Sequence, residues 1–103
     1  MILHCVFCHF QDSAPEAARQ AVLEGLRAFS LSLPGVLGFE AGPNRDFEGK
    51  SPDYAAGFVI RFDSAAALQA YAVHPEHQRL GDELVALCVG GAAGIVVYDL
   101  DLG

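Results

Sequence analysis

Tyr71, His74 and His77 fall within one seven-residue string, Tyr-Ala-Val-His-Pro-Glu-His, arranged around Pro75. An imidazole is the side chain whose ordinary pKa lets it take or release a proton near neutral pH. A phenol beside it can orient the ring or donate to an oxygen that gains charge. These residue types support proton transfer at carbon or oxygen. Proline pushes the preceding residue out of helix and is itself well suited to a first helical turn, so the string predicts one helix ending at His74 and another starting at Pro75. From His77, Leu80, Leu84 and Leu87 recur at intervals of three and four, which puts all four on one buried face. Upstream, Asp63 or Ser64 caps a helix whose inner side carries Leu68 and Tyr71. The phenol and the second imidazole are thus both expected to point inward. A histidine on an apolar face serves equally well as a hydrogen-bonded core residue, so a chemical and a structural role both stand for His77. His74, at the break, is read as structural.

The elements that must hold these residues follow from periodicity. Residues 2 to 10 are a β-branched and aromatic run, the first strand. Ser13-Ala14-Pro15-Glu16 has the form of a capping box with an early proline and opens a helix with the inner stripe Ala18, Val22, Leu26, Phe29 and Leu33. Pro34-Gly35 stops that helix, and residues 36 to 41 form a second strand ending at Gly42-Pro43. Residues 44 to 53 are polar and rich in breakers, and are expected to be the longest loop and the most mobile segment. A third strand spans 54 to 62, and Gly90, Gly91 and Gly94 separate the last helix from a fourth strand over 95 to 100. The order β-α-β-β-α-β predicts an α+β, ferredoxin-like domain: a four-stranded antiparallel sheet with helices on one face.

With 103 residues the chain is read as a single domain, 1–103, whose small core would gain from a partner subunit. Six basic against thirteen acidic residues disfavour nucleic acid and anionic membrane surfaces by repulsion. No apolar run reaches the roughly 20 residues of a membrane-spanning helix. No export signal is recognisable, so a cytoplasmic location is expected. Cys5-Val6-Phe7-Cys8-His9 spells the C-x-x-C-H string of covalent haem attachment. Residues three apart on a strand point to opposite faces, however, so the two thiols cannot reach one porphyrin, pair as a redox dithiol, or join His4 and His9 around zinc. No metal and no cofactor are expected, and the three cysteines should be free thiols.

The strands also predict assembly. A sheet with helices on one side and water on the other should alternate apolar and polar residues, yet the first and third strands are apolar at nearly every position. Helices cover one face only, so a second copy of the sheet is the expected lid for the other, giving a homodimer closed as a barrel. Arg61, unusual in that setting, is expected to pair with Glu40, Asp99 or Asp101. Asp99 and Asp101 are otherwise read as solvated.

His4-x-Val6, Pro34-Gly35-Val36, Gly42-Pro43-Asn44 and Tyr71-x-x-His74-Pro75-x-His77 together resemble the stress-responsive A/B barrel (Dabb) family over nearly the whole chain. The resemblance implies a homodimeric α+β barrel. A plant polyketide cyclase of that family works without cofactor or metal. It implies here a base at His77 assisted by Tyr71, with His4 nearby, acting on an apolar carbonyl or phenolic compound. Where that cyclase has a further pocket histidine on the third strand, this chain has Ala56, so the same substrate does not follow. The alternative is a non-catalytic, stress-associated or accessory dimer with structural histidines. A cavity of a few hundred Å³ reaching His77 is the feature that distinguishes the two.

Overall fold

A computed structural model describes all 103 residues, Met1–Gly103. Strand β1 (Ile2–Cys8) is followed by helix α1 (Glu16–Leu31), strands β2 (Val36–Pro43) and β3 (Ala56–Phe62), helices α2 (Ala65–Val73) and α3 (Pro75–Ala86), a single 3₁₀ turn over Gly91–Gly94, and strand β4 (Ile95–Asp101). The sheet order is β2-β3-β1-β4 with every neighbouring pair antiparallel. This is the ferredoxin-like α+β arrangement expected from the element order.

Cross-strand register sorts the side chains. His4 lies opposite Ile60 and Asp99, and Val6 opposite Phe58 and Val97, on the face that the helices cover. Cys5 lies opposite Val59 and Tyr98, and Phe7 opposite Gly57 and Val96, on the other face. The core is built from the first set, including Val6, Cys8, Phe58, Ile60 and Phe62, packed against Val22 and Leu26 of α1, Tyr71 of α2, and Leu80 and Leu84 of α3. Gly25 lets α1 approach α3 closely, since a Cβ there would sit 2.9 Å from Leu80. Cys5 and Cys8 fall on opposite faces, as strand alternation requires.

Several local expectations are corrected. Ser13 does not cap α1. Pro15 occupies that position in extended conformation, its carbonyl accepts from the Ala18 and Arg19 amides, and no side chain caps the helix. The first strand stops at Cys8, and Phe10 makes only an isolated bridge to Cys88. Pro43 ends β2 rather than following it, which is possible because β2 is an edge strand with no ladder partner on its far side.

The segment between β2 and β3 is the longest loop, as expected, and it is braced from within. The Asp46 carboxylate accepts hydrogen bonds from the Lys50 and Ser51 amides and the Ser51 hydroxyl. The Asn44 side-chain amide donates to the carbonyls of Ser51 and Tyr54. Asp46 itself takes φ 45°, a conformation that aspartate tolerates better than most residues. These hydrogen bonds, led by that from the Ser51 amide, hold its carboxyl below the usual range.

The outer sheet face stays apolar. Leu3, Cys5, Phe7, Val59 and Val96 form its middle, with Tyr98 and Leu100 exposed toward one edge. Its ion pair is Arg61 with Glu40, at 3.1 Å, one of the three partners expected for that arginine.

Candidate functional site

The helix break forms as its stereochemistry dictates. Ser64 caps α2 by accepting from the Ala67 amide at 3.2 Å. His74 ends α2 in extended conformation and caps α3, its Nδ1 accepting from the Glu76 amide at 3.0 Å. His74 therefore has a structural task. The turn it makes swings α3 so that His77 lands beside Tyr71, with ring centres 4.3 Å apart.

Between α3, α2 and the inner face of the β1 and β4 end of the sheet lies a cavity of about 460 Å³. His4, Tyr71 and His77 all line it. Its apolar wall includes Val6, Leu26, Phe58, Leu84 and Val97, and Gln78 and Asp82 of α3 add polar groups. The three residues singled out in the sequence thus share one space. Two others do not. His74 is outside the cavity lining, and Ala56 lines a separate cavity between α1 and the β2–β3 end of the sheet. The third-strand residue that shapes the wall near His77 is Phe58, which supplies no proton-transfer group.

The state of each ring follows from its partners. His77 Nδ1 lies 3.0 Å from the Ala72 carbonyl, which can only accept, so Nδ1 carries the proton and Nε2 the lone pair in the neutral ring. Desolvation lowers its pKa, and the nearby His4 and His74 push the same way against the opposing effect of the Ala72 hydrogen bond. The main chain, rather than the Tyr71 hydroxyl, orients this imidazole. Burial pushes the Tyr71 phenol up to about 12, so it remains a neutral donor. His4 packs edge-on against Tyr71, with ring centres 5.7 Å apart, and its Nδ1 lies 2.6 Å from Asp99 Oδ1.

Asp99 is the residue that the sequence reading missed. It is half-exposed, as a solvated carboxylate would be, but it sits directly opposite His4 on the inner face. Only the pairing of β4 with β1 brings together residues 95 positions apart. Ser30 was missed too. It lies four residues beyond Leu26 on the inner stripe of α1 and is fully buried beside the Tyr71 hydroxyl. Its Oγ makes no hydrogen bond of good geometry. A buried hydroxyl without a partner costs about 1–3 kcal/mol. Ser30→Ala should therefore leave stability unchanged or raise it by about 1 kcal/mol, and a melting temperature lowered by several degrees would show that the hydroxyl is satisfied in solution.

No group of three or more histidine, cysteine or acidic residues is arranged to hold a metal ion. Cys8 and Cys88 are fully buried together in the core, and burial first, then the neighbouring Cys88, pushes the Cys8 thiol up to about 12, far from a reactive thiolate. No helix is long and apolar enough to cross a membrane.

Against known proteins, the model of the family described as the stress responsive A/B barrel domain matches residues 2–101. A dimeric ferredoxin-like protein of unknown function from Jannaschia sp. CCS1 is 45% identical, with a TM-score of 0.86 and 98% of each chain covered. A protein of Arabidopsis thaliana, 17% identical, has a TM-score of 0.86 over 100% of this chain and 96% of that one. A hydroxynitrile lyase from Passiflora edulis, 13% identical, has a TM-score of 0.83 over 99% and 93% of the two chains. The last two likenesses are of fold. No curated protein matches significantly.

Proposed function

The chain belongs to the stress responsive A/B barrel domain family, and from that premise we propose that it works as a homodimer whose inner cavity binds a small apolar carbonyl or phenolic compound and exchanges a proton with it at His77. The observation that carries this reading is the 460 Å³ cavity reaching an imidazole that is neutral, half-buried and held by a main-chain carbonyl. A histidine serving only the core would have the space around it filled.

Assembly is supported by the uncovered apolar outer face and by the 45% identical Jannaschia protein, which is described as dimeric. The apposed sheet faces would be the interface, leaving the His77 cavity on the helix side of each subunit.

The chemistry is that of a keto–enol proton transfer. His77 Nε2 removes a proton from the carbon next to a carbonyl, the C–H electron pair becomes the C=C bond of an enolate as the carbonyl π pair moves to oxygen, and the proton returns to carbon or exchanges with solvent. Apolar walls favour the neutral base, and Tyr71, protonated throughout, packs on its ring. Such a cycle consumes no cofactor.

Acetophenone in D₂O tests the proposal, because its methyl protons report each abstraction by NMR. The protein should accelerate their loss. Since desolvation depresses the His77 pKa, the rate should hold steady from alkaline pH through the ordinary imidazole value of about 6.5 and decline only below it. The unfolded chain binds the His77 proton more readily, so this group's contribution to stability is present above about pH 6.5 and is lost as pH falls toward the depressed folded value. A rate that already halves above pH 7 would place the base elsewhere. No acceleration, together with no ligand-induced change in melting temperature, would favour an accessory dimer with structural histidines.

A further inference from the structure

His4 and His77 approach one cavity from different elements, and each has its Nδ1 committed to an acceptor that cannot donate: the Asp99 carboxylate for His4 and the Ala72 carbonyl for His77. We propose that Asp99 is a positioning residue for this cavity: it holds Nδ1 of His4, so that in the neutral form of that ring Nε2 is left free, and two imidazole acceptors face the ligand and select one that brings its own O–H donor. The ligand class is then a phenol, or a carbonyl compound held as its enol, in preference to an ether of the same shape. This inference rests on the reading of the cavity as a ligand site.

The geometry supports each step. A carboxylate partner 2.6 Å from Nδ1 places the proton on that nitrogen. Nδ1 and Nε2 are on different edges of the ring, so Nε2 does not share the edge that Nδ1 turns to Asp99, and the ring packs against Tyr71 with centres 5.7 Å apart. The His4 side chain is only 12% exposed, whereas that of Asp99 is 46% exposed. The imidazole is thus enclosed, and the carboxylate reaches it from the solvent edge. The two imidazoles are close enough that a charge on His4 disfavours a charge on His77. Val6, Phe58 and Val97 give the cavity an apolar wall; its side-chain donors are the Gln78 amide of α3 and the Tyr71 hydroxyl, which is buried beside Ser30. An ether oxygen placed between the two imidazoles meets two lone pairs, whereas a hydroxyl completes a hydrogen bond with either ring. A site built to pair a ligand hydroxyl rejects the analogue that lacks it, because its own polar atoms are left unpaired.

The probes are 4-ethylphenol and 4-ethylanisole, which share a skeleton and differ in the donor. By calorimetric titration at pH 8.5, the wild type should bind the phenol at least ~10-fold more tightly, the difference one buried hydrogen bond makes. Asp99→Leu should reduce that ratio severalfold by releasing the His4 tautomer. Asp99→Asn should retain it, because its side-chain oxygen still accepts from Nδ1. Nitrogen-15 NMR supplies a readout that a merely structural role would not move: the His4 proton should reside on Nδ1 in the wild type and in Asp99→Asn, and shift largely to Nε2 in Asp99→Leu. Equal binding of both probes by the wild type overturns the selectivity while leaving the ligand site intact. A wild-type His4 protonated on Nε2, or a ratio untouched by Asp99→Leu, overturns the role of Asp99. If neither probe binds although the Nδ1 proton is seen, the reading of the cavity as a ligand site fails, and the selectivity with it.

Discussion

His77→Ala is expected to lower proton exchange with acetophenone by about 10²–10⁴-fold, the usual contribution of a positioned general base, while leaving a folded protein. The ring is half-buried, and the only hydrogen bond it makes is to the Ala72 carbonyl, so its loss should cost no more than about 0.5–1.5 kcal/mol beyond the packing removed. His74→Ala makes the contrasting control. It removes the cap of α3, a loss of about 1 kcal/mol, yet His74 lies outside the cavity, so exchange should persist. Melting curves with and without acetophenone, set beside the exchange rates, separate the roles. An alanine variant at position 77 that melts far below the wild type, with exchange unchanged in whatever remains folded, would make His77 a core residue.

Val59→Glu should convert the proposed dimer to monomer. Val59 lies in the middle of the outer face, opposite Cys5 on one side and Glu40 on the other. In a monomer the new carboxylate would stay wet. Between apposed sheets it would be buried without a partner and beside Glu40, a penalty of about 3–5 kcal/mol, which corresponds to about 10²–10⁴-fold in the dissociation constant. Sedimentation at micromolar concentration reads the result directly. A wild type that sediments as a monomer, or a variant that remains a dimer, would mean that the outer face is not the interface. Retention of the helix content by circular dichroism would show that the charge acts on assembly and not on the fold.

The fold was legible because its determinants are local and repeated. β-branched and aromatic runs bounded by Gly and Pro placed the strands, three-to-four spacing placed the helices, and Pro75 forced the break that carries His74 and His77. The apolar residues on both faces of β1 and β3 signalled a sheet needing cover twice. Tyr71 and His77 could be picked out because each lies at an inward phase of its own helix, whereas His4 was indicated by the resemblance to the stress-responsive A/B barrel family. Caps were legible only where one residue decides the geometry: Ser64 caps α2 as expected, but at α1 the proline itself took the position assigned to Ser13.

What tertiary structure alone decided is the state of the site. The sequence by itself determined which residue types stand on which face of each strand and helix, because backbone period and steric rules act within a few residues. It could not show that Asp99 meets His4, that the Ala72 carbonyl holds His77, that Ser30 lies beside the Tyr71 hydroxyl, or that Phe58 and not Ala56 shapes the wall. These depend on strand register, on the angle at which α3 leaves the break, and on which main-chain atoms are left over by the helix ends. A hydrogen bond is decided within a few tenths of an ångström, and hydrophobic patterning specifies a face without specifying position on that scale. The proton positions of the two imidazoles, and with them the chemistry of the cavity, therefore emerge only when the chain is packed.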